Sequence, residues 1–351
     1  MKKKRMIIVI MIVVISLLIT GMTIFGVKFK NEVSSNATEV SNNNANNNID
    51  LPRTEANLKS SSSYNDEYAS FNTKELQKIM DKLSDEGGGT IHISSGTYYF
   101  KSAGMNTAKT EDYAIKCRDN ITIIGDGTND NSGTILKPYG VTSIGLDMFY
   151  FNDYSDTGNG NYLVNADFRN FIIDGAEANT QQYTTAGKGF MINILRDCDW
   201  ENVKVMNTDA TGFGMDCPIN CTITRCVAIN CGKAATTSSA GASGFGIGTG
   251  YSDQEYMHIK DCISTGNKKF GFFFEHQGRF NEQKYTASSS KGFVVSNCTA
   301  SGNLYDIGGN RANDVTYENC SADTYFQFEN NSRRIHLINC KANIEYSDVT
   351  D

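Results

Sequence analysis

The second half of the chain repeats one short pattern of apolar and polar positions. Each repeat has an apolar residue, two polar residues, a small or apolar residue, a spacer and another small or apolar residue. Aligned repeats give a first column of Phe168, Trp200, Ile223, Ile259, Val295, Tyr317 and Leu337, and a middle column of Phe171, Val203, Cys226, Cys262, Cys298, Cys320 and Cys340. The repeats begin 20 to 36 residues apart, and their period of two predicts strands rather than helices.

A sharp bend is predicted inside each repeat. The residues just before the middle column are Asn170, Asn202, Arg225, Asp261, Asn297, Asn319 and Asn339. Asparagine tolerates a left-handed backbone better than other non-glycine residues, so each repeat contains two short strands joined by a bend. One such coil cannot bury its own apolar side chains. Successive coils must therefore stack, which predicts an all-β parallel β-helix.

The repeat resembles the right-handed parallel β-helix of the pectate-lyase-like superfamily. Two motifs nearer the N-terminus carry the same resemblance, since Gly87–Phe100 is similar to the first coil of that superfamily and Asn120–Thr128 to its next coil. The resemblance covers roughly Phe71 to the C-terminus. It implies a single-stranded right-handed β-helix, or solenoid, whose open end is covered by an N-terminal capping helix.

The residues themselves also predict a helix at that end. Its apolar face would consist of Leu76, Ile79, Met80 and Leu83. Asn72 or Thr73 can cap the helix, and Gly87 to Gly89 ends it. We expect its apolar face to pack on the first coil, where it would cover strand edges.

Two segments of different composition precede this helix. Basic residues Lys2 to Arg5 are followed by Met6 to Val27, which has no charged residue and is long enough to span a bilayer. Residues 1–30 are therefore predicted to be a signal-anchor with a cytoplasmic N-terminus, and a cleaved signal peptide is the alternative. Residues 31–68, rich in Asn and Ser, are predicted to be a disordered linker to an extracellular β-helix domain at 69–351.

Charge and cysteine content narrow the classes of partner and cofactor. The net charge of -7 does not indicate a basic surface for nucleic acid, so no nucleic-acid partner is expected. Five of the ten cysteines stand in the middle column, where thiols behave as small apolar groups. Cys217, Cys221, Cys226 and Cys231 lack a Cys-x-x-Cys pair, which disfavours zinc. A disulfide between Cys217 and Cys231 is left open.

A third strand in each coil carries the candidate chemistry. The outward residues at its end are predicted to be Asn193, Asp216, Gly248, Glu275, Gly308 and Glu329. Parallel strands lie about 4.8 Å apart, so Asp216 and Glu275 would lie about 10 Å apart across Gly248. Insertions at 175–188, 231–243 and 276–291 border the same strands and are absent from later coils. In solenoids such insertions collect on the binding face, which predicts a groove.

The groove contains groups suited to carbohydrate chemistry. Asp216, Glu275 and His276 are predicted to be catalytic, because carboxylates and imidazole transfer protons. Asn193, Tyr251 and Arg279 are predicted to bind substrate, with the aromatic ring stacking on a sugar and the guanidinium binding a uronate carboxylate. The alternative is that these are ordinary solvated side chains of a solenoid surface and a polar loop.

Three families of this fold share short motifs with the chain. The segment Phe213–Pro218 is similar to the Tyr-Gly-Phe-Asp-Pro-His motif of mannuronan C5-epimerases; Asp216 matches the catalytic Asp, whereas Phe213 and Pro218 replace the Tyr and His. Polygalacturonases share Asn207–Asp209, but Phe245 replaces the His of their Gly-His-Gly motif. Pectate lyases bind calcium through several carboxylates. Asp216 and Glu275 supply only two, so calcium is left open and no cofactor is firmly indicated.

These features favour a membrane-anchored, cell-surface protein that acts on an acidic polysaccharide as a lyase, uronate epimerase or glycoside hydrolase. The expected partners are that polysaccharide and the membrane. The alternative is a noncatalytic β-helix that binds glycan or has a structural role at the surface.

Overall fold

A computed structural model of the protein describes residues 52–105, 112–140, 145–154, 160–180, 187–235, 242–277 and 292–346. Within these residues the chain forms one helix and 26 strands. The predicted anchor and the first part of the predicted linker lie outside the described residues. Within the described part, no helix is long and apolar enough to cross a membrane.

The strands form three stacks that follow one another along each coil. Stack A contains β2 (Gly89–Ile93), β6 (Ile121–Gly125), the first parts of β10 (Asp167–Asp174) and β12 (Asp199–Met206), β14 (Cys221–Thr224), β17 (Tyr256–Lys260), β20 (Gly292–Ser296), β23 (Asn313–Glu318) and β25 (Arg333–Ile338). Stack B contains β3 (Gly96–Phe100), β7 (Thr134–Pro138), the second parts of β10 and β12, β15 (Val227–Ile229), β18 (Ile263–Thr265), β21 (Thr299–Ser301) and the starts of β24 (Ser321–Glu329) and β26 (Lys341–Tyr346).

Stack C contains β5 (Asp112–Lys116), β8 (Leu146–Asn152), β11 (Phe190–Arg196), β13 (Phe213–Ile219), β16 (Ser243–Thr249), β19 (Phe270–His276), β22 (Tyr305–Asn310) and the ends of β24 and β26. Three short strands complete the set: β1 (Arg53–Glu55), β4 (Gly104–Met105) and β9 (Leu163–Val164). Among the described strands every pairing is parallel except that of β4 with β5. The architecture is the predicted parallel β-helix.

The pairing confirms the predicted first column, which runs without a slip from Phe168 to Leu337. The residue at each predicted bend is left-handed, with φ between 50° and 59°. Side-chain amides also link these bends between coils: Asn202 donates to Asn170 at 2.9 Å, and Asn339 donates to Asn319 at 2.6 Å. Such hydrogen bonds join the bend at Asn170 to that at Asn202, and the bends from Asp261 to Asn339 to one another.

The cysteines of the middle column are free thiols, and all but the half-buried Cys340 are buried. All ten cysteines are free thiols, so Cys217 and Cys231 do not form the disulfide that the sequence left open. In the column, the backbone N–H of Cys226 points at the sulfur of Cys262, at 3.3 Å, and the N–H of Cys262 at that of Cys298, at 3.4 Å. The thiols of Cys262 and Cys298 thus serve as small core side chains and as weak acceptors for the adjacent coil.

The inward aromatic column of stack C corrects one predicted alignment. Phe190, Phe213, Phe245 and Phe272 stack as predicted, with centroid distances of 4.6 to 5.5 Å. Phe272 then pairs with Ile307 rather than with Tyr305. A shift of two residues keeps the same face inward, so the alternation of apolar residues does not detect it. As a consequence Glu275 lies beside Asn310, and Gly308 is not in its row.

The capping helix begins earlier than predicted. Helix α1 spans Asp66–Asp85, and Asn65 caps it by accepting the N–H of Tyr68. The residues predicted as caps are buried within the helix, where the Asn72 amide bonds the backbone of Lys59 and Tyr99. Strand β1 pairs with the edge of β2. Residues 52–68 are therefore folded, contrary to the predicted linker, because backbone pairing and nonlocal contacts replace the apolar burial that their composition lacks.

We predict that Cys298→Asp unfolds the solenoid. Cys298 is 1% exposed and lies in the stacked thiol column, so a carboxylate there would be a buried, unpaired charge that costs at least about 3 kcal/mol. Cys298→Ser and Cys298→Ala should be milder. Thermal melting followed by circular dichroism measures the effect, with Thr299→Asp on the exposed side of the same bend as the control. A Cys298→Asp melting temperature equal to that of Thr299→Asp would contradict the inward register.

A second prediction concerns His92, which joins β2 to two other segments. Its Nδ1 lies 2.5 Å from Glu55 Oε2 and its Nε2 lies 2.7 Å from Asp126 Oδ1. Burial lowers the pKa of His92, but the two carboxylates outweigh burial and raise it above 6.5. The stabilisation is therefore complete below 6.5 and is lost as the pH rises through the raised pKa.

His92→Gln should accordingly lower the melting temperature at about pH 5.5 more than at about pH 9. The pKa values of Glu55 and Asp126 are lowered, so both carboxylates are still ionised at the lower of these pH values. His336→Gln, on an exposed position of stack A, is the control. An equal loss at both pH values would show that the pair with protonated His92 does not contribute.

Candidate functional site

One row of polar residues runs along the outward face of stack C. The paired residues are Asn152, Asn193, Asp216, Gly248, Glu275, Asn310 and Glu329, which we call the polar row. Their inward neighbours are apolar, so the alternation of each strand positions the row. The structure thus brings Asn193, Asp216 and Glu275 to one face, with Gly248 between the two carboxylates.

Gly248 makes room for the carboxylate of Asp216. A Cβ atom at Gly248 would overlap Asp216 Oδ1 and lie 2.7 Å from Gln277 Nε2. Gln277 donates to Asp216 Oδ1 at 3.5 Å. The absence of a side chain at Gly248 therefore lets Asp216 lean across the row towards Gln277, on the side of Glu275. Sequence reasoning missed Gln277, because it follows the strand end and belongs to no column.

Asn193 has an unusual environment for a polar side chain. It is 2% exposed, and no donor among the described residues reaches its Oδ1 atom. A buried acceptor without a donor costs about 1 to 3 kcal/mol, so most such atoms in proteins have partners. This oxygen lies one strand from Asp216 in the row and is a buried acceptor.

Lys188 is a cation of the groove that the sequence analysis did not identify. Its stem crosses Gly214, where a Cβ would lie 3.1 Å from Lys188 Cδ, and its Nζ lies 2.9 Å from the sulfur of Met191. A thioether is a weak acceptor, so this contact satisfies the ammonium poorly. Met191 lies two residues before Asn193 on the same outward face. Lys188 precedes the strand, so the alternation gives no sign of it.

His276 occupies a different position from Asp216 and Glu275. It pairs with Thr249, is 7% exposed, and packs on Gly250, where a Cβ would lie 2.5 Å from His276 Nε2. Burial and the charge of Arg311 lower the pKa of His276 below 6.5, so the ring is neutral at pH 7. Side chains alternate along β19. Since Glu275 faces outward, the next residue, His276, falls in the corner between stacks C and A. Its predicted catalytic role stays a prediction.

Tyr251 belongs to an aromatic cluster at the same corner. Its ring centroid lies 5.3 Å from that of Tyr154 and 6.1 Å from that of Tyr162, and its hydroxyl accepts the N–H of Gly160 at 3.2 Å. Arg196 lies over the Tyr162 ring, 4.8 Å from its centroid. Burial raises the pKa of Tyr162 to about 12, so this ring stays neutral. The cluster presents rings and a cation beside the polar row.

Some predicted features fall on residues that are not described. Arg279 lies outside the described residues, as do 181–186, 236–241 and 278–291 of the three predicted loops. Among the described residues, no group of three or more His, Cys, Asp and Glu side chains could hold a metal ion. Calcium takes six to eight oxygen ligands at about 2.3–2.6 Å, and two carboxylates separated by Gly248 do not form such a shell by themselves.

Comparison with known proteins was made by sequence and by fold. No protein-family model and no curated protein sequence matches the chain. The A-module of mannuronan C-5 epimerase AlgE4 from Azotobacter vinelandii matches in structure with a TM-score of 0.53 and 16% identity, over 83% of this chain and 75% of that module. The tailspike protein of E. coli bacteriophage HK620, solved with a pentasaccharide, matches with a TM-score of 0.52 and 13% identity, over 79% of this chain.

The chain spans about half the length of the tailspike, of which 48% is covered. The epimerase module and the tailspike are right-handed parallel β-helices, and this chain is a right-handed parallel β-helix protein with an N-terminal helix. At these identities the similarity shows the fold. The right-handed parallel β-helix expected from the sequence is confirmed.

Proposed function

We propose that the protein binds an acidic polysaccharide along the polar row and hydrolyses it with Asp216 and Glu275. One observation carries the proposal: two carboxylates project from the same face, and the glycine between them lets the Asp216 carboxylate lean towards the side of Glu275. Two proteins of similar fold support the choice of ligand, since one is a mannuronan epimerase and the other is solved with a pentasaccharide. The cell-surface location is part of the proposal and rests on the apolar segment Met6–Val27.

The strand spacing sets the distance between the backbones of Asp216 and Glu275, roughly 9.6 Å over two strands. The two carboxyl groups are not bound to that distance, because Asp216 leans across Gly248 towards the side of Glu275. Inverting glycosidases keep their carboxyl groups about 6.5–9.5 Å apart to leave room for a water molecule, whereas retaining enzymes need about 5–5.5 Å, and the reaction proposed here is hydrolysis with inversion. In this mechanism Glu275 protonates the leaving oxygen. Asp216, which accepts the N–H of Gln277, removes a proton from the attacking water.

Two further groups would bind the polysaccharide. The ammonium of Lys188 offers a charge-assisted hydrogen bond to a uronate carboxylate, which would offset repulsion from Asp216 and Glu275. The buried Oδ1 of Asn193 would accept a sugar hydroxyl, a donor that the part of the chain described by the structure does not supply. Epimerisation and elimination need a proton-transfer group at the sugar C5, and Phe213 and Pro218 stand where the epimerase motif has Tyr and His. This substitution makes both reactions the weaker candidates.

The test is to incubate the full-length protein with uronate and neutral glycans and to measure new reducing ends, unsaturated products and epimerised residues. Asp216→Asn and Glu275→Gln should each lower activity about 100-fold or more, the usual scale for a general acid or base. Glu329→Gln is the matched control, because Glu329 lies in the same row two coils beyond Glu275. Equal effects of all three substitutions would place the chemistry elsewhere.

The same experiment separates catalysis from binding alone. If the protein binds a glycan but releases no product, the noncatalytic alternative holds. Asp216→Asn and Glu275→Gln should then weaken binding by about 1 to 3 kcal/mol, as expected when a charged hydrogen bond is lost. Unsaturated products would instead assign elimination, and a changed sugar configuration without new reducing ends would assign epimerisation.

A further prediction concerns Gly248, whose missing side chain makes room for the carboxylate of Asp216. Gly248→Ala should displace the Asp216 carboxylate and lower activity roughly 100-fold, because misplacement of a reacting group by about 1 Å can have that effect. The backbone there is extended, so the melting temperature should change little. Gly140→Ala, where a Cβ meets no atom within 4 Å, is the control. Full activity of Gly248→Ala would mean that the position of Asp216 does not matter.

A further inference from the structure

A fully buried glutamate closes the loop that follows β16. Glu255 has no exposed surface, and its carboxylate accepts backbone N–H groups from Gly250 at 2.8 Å, Tyr251 at 2.6 Å and Ser252 at 2.9 Å. Three backbone N–H groups that bond one carboxylate hold the short loop in a single conformation. The carboxylate thereby fixes the backbone that carries Tyr251.

The same carboxylate reaches the strand that carries Asp216. The thiol of Cys217 hydrogen-bonds Glu255. Cys217 directly follows Asp216, is 1% exposed and is left-handed, with φ of 59°. A left-handed conformation is uncommon for a residue with a side chain and persists where surrounding contacts hold it. The turn that aims Asp216 is therefore supported from Glu255.

A third contact extends this support to His276. Gly250 is left-handed, with φ of 101°, and the His276 ring lies where its Cβ would be. Only glycine satisfies both constraints. Since Glu255 holds the N–H of Gly250, one buried carboxylate connects the segments of three predicted site residues.

We propose that Glu255 is a positioning residue for the polar row, which in its ionised form holds the turn after Asp216 and the loop that carries Tyr251. The inference deepens the proposed function and rests on it. Ionised Glu255 accepts all three backbone N–H groups, whereas a protonated carboxyl has one oxygen occupied by its own proton. Glycan binding should therefore require that Glu255 be deprotonated.

The surroundings of Glu255 place the deprotonation of its carboxyl group near neutral pH. Burial, opposed by the hydrogen bonds from the loop, raises the pKa of Glu255 to about 7. The titratable groups that face it are Cys217, Tyr162, Tyr251 and, across Gly250, His276. The pKa of His276 is lowered below 6.5 and that of Tyr162 is about 12, so neither accounts for a midpoint at 7.

Deprotonation of Glu255 should lower the stability of the fold, whereas it should strengthen the binding of glycan. Because the folded pKa is raised, folding favours the protonated acid, and this stabilisation is present below about 4.5 and lost as the pH rises through about 7. Glu255→Gln should therefore be no less stable than the parent at about pH 8. Weaker binding by this variant at that pH would not come from unfolding.

The experiment measures the binding of oligogalacturonate, oligomannuronate and dextran oligosaccharides to the full chain from about pH 6 to pH 8, together with melting temperatures. In the parent, affinity for the glycan bound best should fall about tenfold towards pH 6, where about a tenth of Glu255 is ionised. Glu255→Gln should bind more weakly at pH 8 and lose this pH dependence. Asp306→Asn is the control, because Asp306, in β22, is a buried carboxylate that accepts the backbone N–H of Thr324 in β24. It should keep the parent's pH dependence.

Each result decides the inference. Retention of the pH midpoint by Glu255→Gln, or a lower melting temperature at pH 8 with unchanged affinity, would overturn the positioning role and leave the proposed function standing. Replacement of Cys217 by Ala provides a second variant, which should weaken binding and move the midpoint to higher pH, because the hydrogen bond from Cys217 lowers the pKa of Glu255. If the parent binds no glycan at any pH, the proposed function fails, and the inference fails with it.

Discussion

The stacking of each coil on the next is the interaction on which the rest of this structure depends. A coil of three short strands has no internal partner for its backbone groups, so both hydrogen bonding and apolar burial come from the coils above and below. The stacked rings of Phe190, Phe213, Phe245 and Phe272 and the left-handed Asn bends repeat at the same interval. A slip by one residue would turn every apolar column outward, which is why the register is so strongly specified.

That register also builds the candidate site. Residues in one outward row are held at the strand spacing of about 4.8 Å by backbone hydrogen bonds rather than by side-chain contacts. The backbone distance between Asp216 and Glu275 is therefore set by the number of coils between them, and Gly248 leaves its side-chain position to the Asp216 carboxylate. A rigid scaffold of this kind can hold two carboxylates at a separation useful for proton transfer without spending binding energy on loop ordering.

The corner between stacks C and A contrasts with this regular face. Left-handed residues, a glycine beside the His276 ring and the fully buried Glu255 concentrate there, next to the aromatic cluster of Tyr154, Tyr162 and Tyr251. Buried charge and backbone strain both lower stability, and they persist where other contacts hold them or where function requires them. In the proposed function, the corner between stacks C and A holds the segments that carry Asp216 and Tyr251 in place.

The sequence by itself determined the solenoid, its inward columns, its bends and the row that contains Asn193, Asp216, Gly248 and Glu275. Alternation reports which face a residue takes, and Asn at a bend reports a left-handed backbone, so local chemistry sufficed for these features.

Only the tertiary structure decided the pairing of Phe272 with Ile307, the early start of α1 at Asp66 and the folding of residues 53–55 onto β2. It also decided the positions of Lys188, Gln277 and Glu255, which depend on contacts with Met191, Asp216 and Cys217 from other coils or beyond the strand. A shift of two residues preserves the face of every side chain, and a buried carboxylate acquires its donors only when distant segments meet. Such features leave no periodic signal along the chain.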